Sequence, residues 1–225
     1  MAQITTYPKR GGFYFVGKKP YVSVTEVLKV MDKPALRYWY GTEVFYAMVK
    51  NPTLSKEDAL SSPYKKTQSS ILRGRTVHSI VESYKKTGNV IDTVPDEFKG
   101  YAKSFYKWVD ENKIEILANE KTVISEKHGY GGTLDLYVKI NGKGPYVVDV
   151  KTGKEIYDEA SLQLSAYQSA LIESNLTAPH IAVLLLSDTG IHTFKEVQPC
   201  FDEFLACKRL WEWKNKDLVK KVNGL

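Results

Sequence analysis

The dipeptide Asn141-Gly142 stands between two apolar runs, Thr133 to Ile140 and Tyr146 to Val150. Both residues tolerate positive φ, which a tight two-residue hairpin turn requires. This part of the chain is therefore committed to an antiparallel strand pair. Tyr146 to Val150 is apolar enough to sit centrally in a sheet. Ile114 to Ser125, containing Thr122-Val123-Ile124, reads as a strand ahead of the pair. Ile181 to Leu186 and Ile191 to Val197 read as two more, joined by Ser187-Asp188-Thr189-Gly190. Helical spacing marks Ser161 to Ser174 and a closing helix from Phe201 to about Lys221.

The first hundred residues read as mostly helical. Tyr21 to Met31 carries Ser23 followed by Glu26, a capping-box spacing before an apolar run. Pro34 opens a second helix, which Pro52 ends. Its aromatics Tyr38, Trp39, Tyr40, Phe45 and Tyr46 are expected mostly in the core. Lys56 to Ser62 reads as a short turn, Tyr64 to Lys86 as a long helix, and Pro95 to about Asn112 as another. Phe98, Tyr101, Phe105 and Trp108 form the inner face of that last helix. The expected organisation is one domain over 1–225. A mostly helical part covers about 1–112, and a sheet core carrying the chemistry covers about 113–225.

Composition narrows the function classes. The 225 residues, 43% hydrophobic and 26% charged, are ordinary for a globular chain. A net charge of +6 suits a polyanionic partner, nucleic acid above all, with a basic protein lacking such a partner as the equal alternative. Cys200 and Cys207 are too few for a disulfide scaffold or a four-cysteine iron–sulfur cluster, and their spacing places both on or beside one helix. No apolar run reaches the roughly 18 residues of a membrane span, and MAQITTYPKRGG lacks the apolar stretch of a secretion signal. The expected compartment is the cytoplasm, or the host cell interior for a viral chain, with an organelle matrix left open.

Asp135 falls in the second strand, Asp149 near the end of the third, and Lys151 two residues later. The hairpin brings the two aspartates close, and the pleat points Asp149 and Lys151 to one face. Two carboxylates and an ammonium in one pocket suit Mg²⁺ or Mn²⁺, with Lys151 placed to orient water or stabilise charge on phosphorus. The plain alternative is a surface Asp/Lys pair. Burial of Val147-Val148 argues for the pocket, because a buried carboxylate needs a partner. Gln163 and Tyr167 share one helix face and can turn towards that pocket, or can be ordinary helix surface. On the long helix, Arg73, Arg75 and His78 gather around Gly74, with Glu82 one turn on; a lone helix histidine is more often structural. Glu120 is the remaining acidic candidate, with Glu126 its competitor on the same strand.

GGTLD, VVDVKTGK and LQLSAY, preceded by the GxxxHxxxE element from Gly74 to Glu82, together resemble the PD-(D/E)xK nuclease superfamily in its RecB/Cas4-like branch. The SVTEVL opening, the interval from Glu120 to Asp135 and the Asp-x-Lys-Thr strand are most similar to the mitochondrial genome maintenance exonuclease family. The resemblance runs from about Tyr21 to the last helix. It implies a restriction-endonuclease-like α/β fold, a mixed central sheet flanked by helices, with a helical N-terminal elaboration. It implies His78, Asp135 and Asp149 as ligands of one or two Mg²⁺ or Mn²⁺ ions, with the Val150 carbonyl as a further ligand. It also implies Lys151 as the catalytic lysine, Gln163 and Tyr167 as the QxxxY pair, and Glu120 near a second metal or its waters. Glu82 is the weakest carry-over. The cluster cysteines of the Cas4 relatives are absent from the sequence, as is the helicase of RecB, so unwinding would come from a helicase or other replication or recombination proteins.

The expected activity is a metal-dependent DNA exonuclease acting on single strands or free ends. Its aromatic helices would stack on bases, and Arg73 and Arg75 would hold phosphates. A duplex-resection nuclease or endonuclease of recombination and repair is the second reading. A nucleic-acid-binding module that has lost catalysis is the third.

Overall fold

The structure, a computed structural model, describes residues 7–222 and 224. Residues 1–6, half of the segment read above for a leader, lie outside the described residues. No helix among the described residues is long and apolar enough to cross a membrane.

Among the described residues, a mixed sheet of eight strands forms the centre: β1 (Lys9–Arg10), β2 (Phe13–Val16), β3 (Lys19–Ser23), β4 (Glu115–Ser125), β5 (Tyr130–Ile140), β6 (Lys143–Lys151), β7 (His180–Leu186) and β8 (His192–Glu196). One face is covered by α1 (Val24–Val27), α5 (Glu159–Glu173), α6 (Phe201–Lys214) and α7 (Lys216–Val222). The other is covered by α3 (Lys56–Thr87) and α4 (Asp96–Glu111). Helix α2 (Pro34–Lys50) packs on α3 and buries none of its own residues. The expected mixed sheet flanked by helices, with a helical N-terminal elaboration, is what the chain forms.

The hairpin at Asn141-Gly142 forms with Ile140 opposite Lys143 and Leu136 opposite Val148. Strand β5 gives one edge to β4 along its length. Its other edge is divided. Strand β3 takes Tyr130 and Gly131 in parallel, and β6 takes Leu136 to Ile140 antiparallel. Between them, residues 132–135 of β5 have no strand partner on that edge. Strand β6 runs on through Lys151 paired only with β7. A cleft opens where β3 and β6 part.

Alternation along β5 reverses at the same point. Leu134 packs into the α5 side of the core, whereas Leu136 and Val138, of equal parity, pack into the α3–α4 side. Opposite Asp135, Glu120 interrupts the β4–β5 ladder between Asn119 and Lys121, and its φ is +45°. A non-glycine residue in the left-handed region costs about 1 kcal/mol and persists only where its surroundings enforce it.

Five sequence expectations are corrected here. Tyr21 and Val22 belong to a strand, and the helix begins only at Val24, although Ser23 does cap it by accepting from the Glu26 N–H. The N-terminal hairpin β2–β3 turns at Gly17-Lys18, in a segment with too few residues to show a strand period. The short turn at Lys56 to Ser62 and the helix from Tyr64 are one 32-residue helix. Pro63 offers no N–H to the Ala59 carbonyl, and the Ser62 hydroxyl donates to it instead at 2.8 Å, so the helix runs through. The aromatics of α2 are mostly not core: Tyr38 is 79% exposed and Phe45 and Tyr46 are each 61% exposed. Their helix packs on α3, through Tyr40 against Tyr64 and an ion pair of Glu43 with Lys66. The closing helix also breaks, at Asn215, into α6 and α7.

Gly100 fixes the β7–β8 turn to α4. A Cβ there would lie 1.7 Å from the Asp188 carbonyl oxygen. Ser104 secures the same turn, donating to the Ile191 carbonyl at 2.5 Å and accepting from the Ser187 N–H. Alanine favours a helix over glycine by about 1 kcal/mol, yet a backbone clash this close exceeds that gain. Gly100→Ala is expected to destabilise by about 2 kcal/mol and lower Tm by roughly 4 °C or more. Thermal unfolding at or above the wild-type Tm would contradict the contact.

Candidate active site

Helix α3 sets the first wall of the site. Val77 and Val81 are buried against the sheet, and each contributes about 1.5 kcal/mol or more by leaving water. The Asn119 amide donates to the Glu82 carbonyl at 2.6 Å, and Lys85 Nζ to the Leu117 carbonyl at 2.8 Å. These bonds hold α3 along β4. His78 is thereby placed over Glu120 and Asp135, with Nδ1 3.7 Å from Glu120 Oε1 and 3.4 Å from Asp135 Oδ1. Ligand atoms of His78, Glu120 and Asp135 all lie within 4.8 Å of one another. Gly74, His78 and Glu82 recur at helical spacing and line one cavity of about 420 Å³ with Arg75, Glu120 and Asp135.

The reversal in β5 lets Asp135 serve two neighbours. Its Oδ1 meets His78, and its Oδ2 accepts from the Val150 N–H at 2.7 Å, across the gap where no ladder bond forms. Asp149 and Lys151 point to the α5 side, as the pleat requires. Asp149 is only 2% exposed. Lys151 Nζ donates to its Oδ1 at 3.0 Å and pairs with Oδ2 at 2.8 Å. The Gln163 amide donates to Asp149 Oδ1 at 2.9 Å and to the Tyr167 hydroxyl at 3.1 Å. Gly132 makes this approach possible, since a Cβ there would sit 2.2 Å from the Tyr167 ring. Both Gln163 and Tyr167 therefore face the site, and Tyr167 is buried rather than surface.

Asp149 lies outside the three-residue group around His78, held by Lys151 and Gln163. Its Oδ2 faces the Lys151 ammonium at 2.8 Å and accepts from no other group among the described residues. Glu126 falls beyond β4, exposed in the following turn, which leaves Glu120 as the acid of that strand at the site. Arg75 lines the cavity with His78, whereas Arg73, two residues earlier, faces a separate cavity. The sequence reading missed the contribution of the N-terminal hairpin. Lys9, Tyr14, Ser23 and Thr25 line a second mouth of the cleft, of about 180 Å³, with Thr133, Asp135, Gln163 and Tyr167. Gly17-Lys18 between two short apolar runs was the one signal available for it.

Charge is tightly coupled here. Burial opposes a charge on His78, but hydrogen bonds and the fields of Asp135 and Glu120 outweigh it and raise its pKa to about 10. Burial lifts Asp149 above the usual carboxylate range, with Lys151 pulling down and Asp135 pushing up. Burial would lower Lys151, but Asp149 prevails and keeps it a firmly charged ammonium. Tyr167 is pushed well above the ordinary phenol by burial and by the two aspartates, so it remains neutral. With His78 protonated, three carboxylates face one imidazolium and one ammonium, which leaves one negative charge uncompensated, and two once His78 yields its proton to a cation. That surplus and an oxygen-rich donor set fit a divalent cation.

No family model and no curated protein matches this chain in sequence. Among solved structures it is similar to LHK-Exo, an alkaline exonuclease from Laribacter hongkongensis, at 10% identity over 92% of this chain and 90% of that one, TM-score 0.48. It is also similar to a protein of Eubacterium rectale described as a candidate exonuclease, at 17% identity over 92% and 82%, TM-score 0.48. Both TM-scores fall below 0.5, so neither likeness bears on activity, and function rests on the geometry of the site.

Without metal, the raised His78 pKa stabilises the folded state. The contribution is fully present below pH 6.5 and is lost as pH rises from there through about 10. In metal-free buffer, wild-type stability is expected to decline more steeply over that window than that of His78→Gln. Parallel stability–pH curves from chemical denaturation would refute the ion pairs.

Proposed function

We propose that this chain is a divalent-metal-dependent DNA exonuclease of the PD-(D/E)xK superfamily, in the RecB/Cas4-like branch and nearest the mitochondrial genome maintenance exonucleases. One nuclease domain would carry the whole reaction. The single observation behind this reading is the junction of two clusters at Asp135. On one side stand His78 and Glu120, and on the other the Asp149–Lys151–Gln163–Tyr167 network.

His78, Asp135 and Asp149, with Glu120 and the Val150 carbonyl, would hold one or two Mg²⁺ or Mn²⁺ ions. Such an ion offsets the charge of a phosphodiester and lowers the pKa of water. In hydrolysis, water attacks phosphorus, the P–O ester bond breaks and a proton passes to the leaving oxygen. Lys151, oriented by Asp149, places an ammonium where charge grows on the phosphoryl oxygens. Gln163 fixes the Asp149 carboxylate, and Tyr167 fixes Gln163. Arg75, Arg73 and Tyr167 are the proposed nucleic-acid contacts.

A preference for single strands or free ends is supported by the helical arm. Tyr38, Phe45, Tyr46 and Tyr64 are exposed there, with Arg37, Lys50, Lys65 and Lys66 on the same two helices. Stacking on such side chains contributes about 1–3 kcal/mol per base.

With Mn²⁺ or Mg²⁺, the protein is expected to degrade linear single-stranded DNA and leave closed circles intact. Lys151→Ala is expected to lower kcat about 10²- to 10³-fold with the fold retained by circular dichroism. Equal cleavage by the variant would remove Lys151 from catalysis, and nicked circles would replace exonuclease by endonuclease.

A further inference from the structure

A separate cavity, of about 410 Å³, begins at Thr152, the residue that follows Lys151. It is walled by α3, α4, the segment after β6 and the β7–β8 turn. Its cations are Arg73 and Lys154, and hydroxyl-bearing Tyr101, Thr152, Ser187 and Thr193 line it with them. Asp188 is the one carboxylate among the lining residues.

Three observations make this a built site. Arg73 Nε is buried with no hydrogen-bond partner among the described residues, and neither Arg73 nor Lys154 forms an ion pair among them. A buried donor left unbonded costs about 1–3 kcal/mol, more for a charged group, so it calls for an acceptor supplied from outside. The Ser187–Ile191 wall is fixed by Gly100 and Ser104 on α4, so the cavity is formed before any ligand arrives. The cavity is also joined to the reaction centre by covalent geometry. Thr152 follows Lys151 directly, and Arg73 precedes His78 by five residues, about 7.5 Å along α3.

We propose that this cavity is an anion pocket that takes the phosphate monoester of a nucleotide at a strand end. Arg73 and Lys154 hold the phosphate, and the remaining volume admits the attached sugar and base. A guanidinium fork beside an ammonium and hydroxyls suits the oxygens of a terminal phosphate. A cavity of this size exceeds what phosphate alone fills and lies within the range of small-molecule sites. The anion chemistry stands on the cavity itself, while a strand end as its ligand rests on the nuclease reading.

Calorimetric titration of the full chain in metal-free buffer with thymidine 5′-monophosphate, inorganic phosphate and thymidine separates these layers. The monophosphate and phosphate are expected to bind, and thymidine is not. Arg73→Gln should weaken monophosphate binding about tenfold or more. Lys154→Met, on an exposed segment, should weaken it by a smaller factor with Tm unchanged. Asp188→Asn should tighten it about two- to fivefold, a gain that misfolding cannot mimic. No monophosphate binding at millimolar concentration, or affinities unmoved by all three variants, overturns the pocket. In cleavage assays, phosphorylated 5′ or 3′ ends should be preferred over hydroxyl ends, and Arg73→Gln should erase the preference. Equal use of both end types overturns the strand-end ligand. Failure to cleave any DNA, with monophosphate binding intact, would sink the nuclease reading and leave the pocket standing.

Discussion

The hydrogen bond from the Val150 N–H to Asp135 Oδ2, at 2.7 Å, is the contact on which the site depends. Between paired strands, a backbone carbonyl would accept such an N–H. Here β3 and β6 divide one edge of β5, and no carbonyl is available at the gap. A side-chain carboxylate fills the place. The bond secures the free end of β6, and so the position of Asp149 and Lys151. It also leaves Asp135 Oδ1 turned towards His78. Structural closure of the sheet and assembly of the site are one event.

Around that bond, charges are arranged so that each is held by another. Asp149 is nearly inaccessible to water, and such a group survives ionised only with partners. Lys151 and Gln163 supply them on one side, with the Lys151 ammonium against both oxygens. His78 carries a proton between Glu120 and Asp135 because two carboxylates converge on it. A cation entering the cleft would displace that proton and meet a surplus of negative charge. The left-handed backbone at Glu120 belongs to the same arrangement, since it interrupts the ladder between Asn119 and Lys121 where its carboxylate joins His78 and Asp135.

The two cavities flanking α3 share this rigidity. Arg73 and Arg75 are near in sequence but open on different spaces, because a helix turns by about 200° over two residues. One space meets the carboxylate cluster, and the other meets the β7–β8 turn. The exposed arm of α2 and α3 differs in kind. It buries little, and its aromatic surface is offered to solvent rather than to the core.

Much of this was legible in the residues. Asn141-Gly142 determined a hairpin, and the hairpin with a period of two determined that Asp135 would near Asp149 and that Lys151 would share its face. Helical spacing placed Gln163 with Tyr167, and Gly74 with His78 and Glu82. Those are local rules, satisfied within a few residues. The tertiary structure alone decided which neighbours those faces would meet. The split edge of β5, the reversal at Asp135 and the positive φ of Glu120 belong to a strand whose one edge is shared by β3 and β6 while β4 lines the other. The exposure of Tyr38 and Phe45 follows from α2 lying on α3 with none of its residues buried, and the continuity of α3 through Pro63 depends on a hydroxyl one residue away. Residues so far apart as Arg73 and Asp188 line one cavity only because α4 accepts a backbone carbonyl at Gly100, and no periodicity in a sequence records that contact.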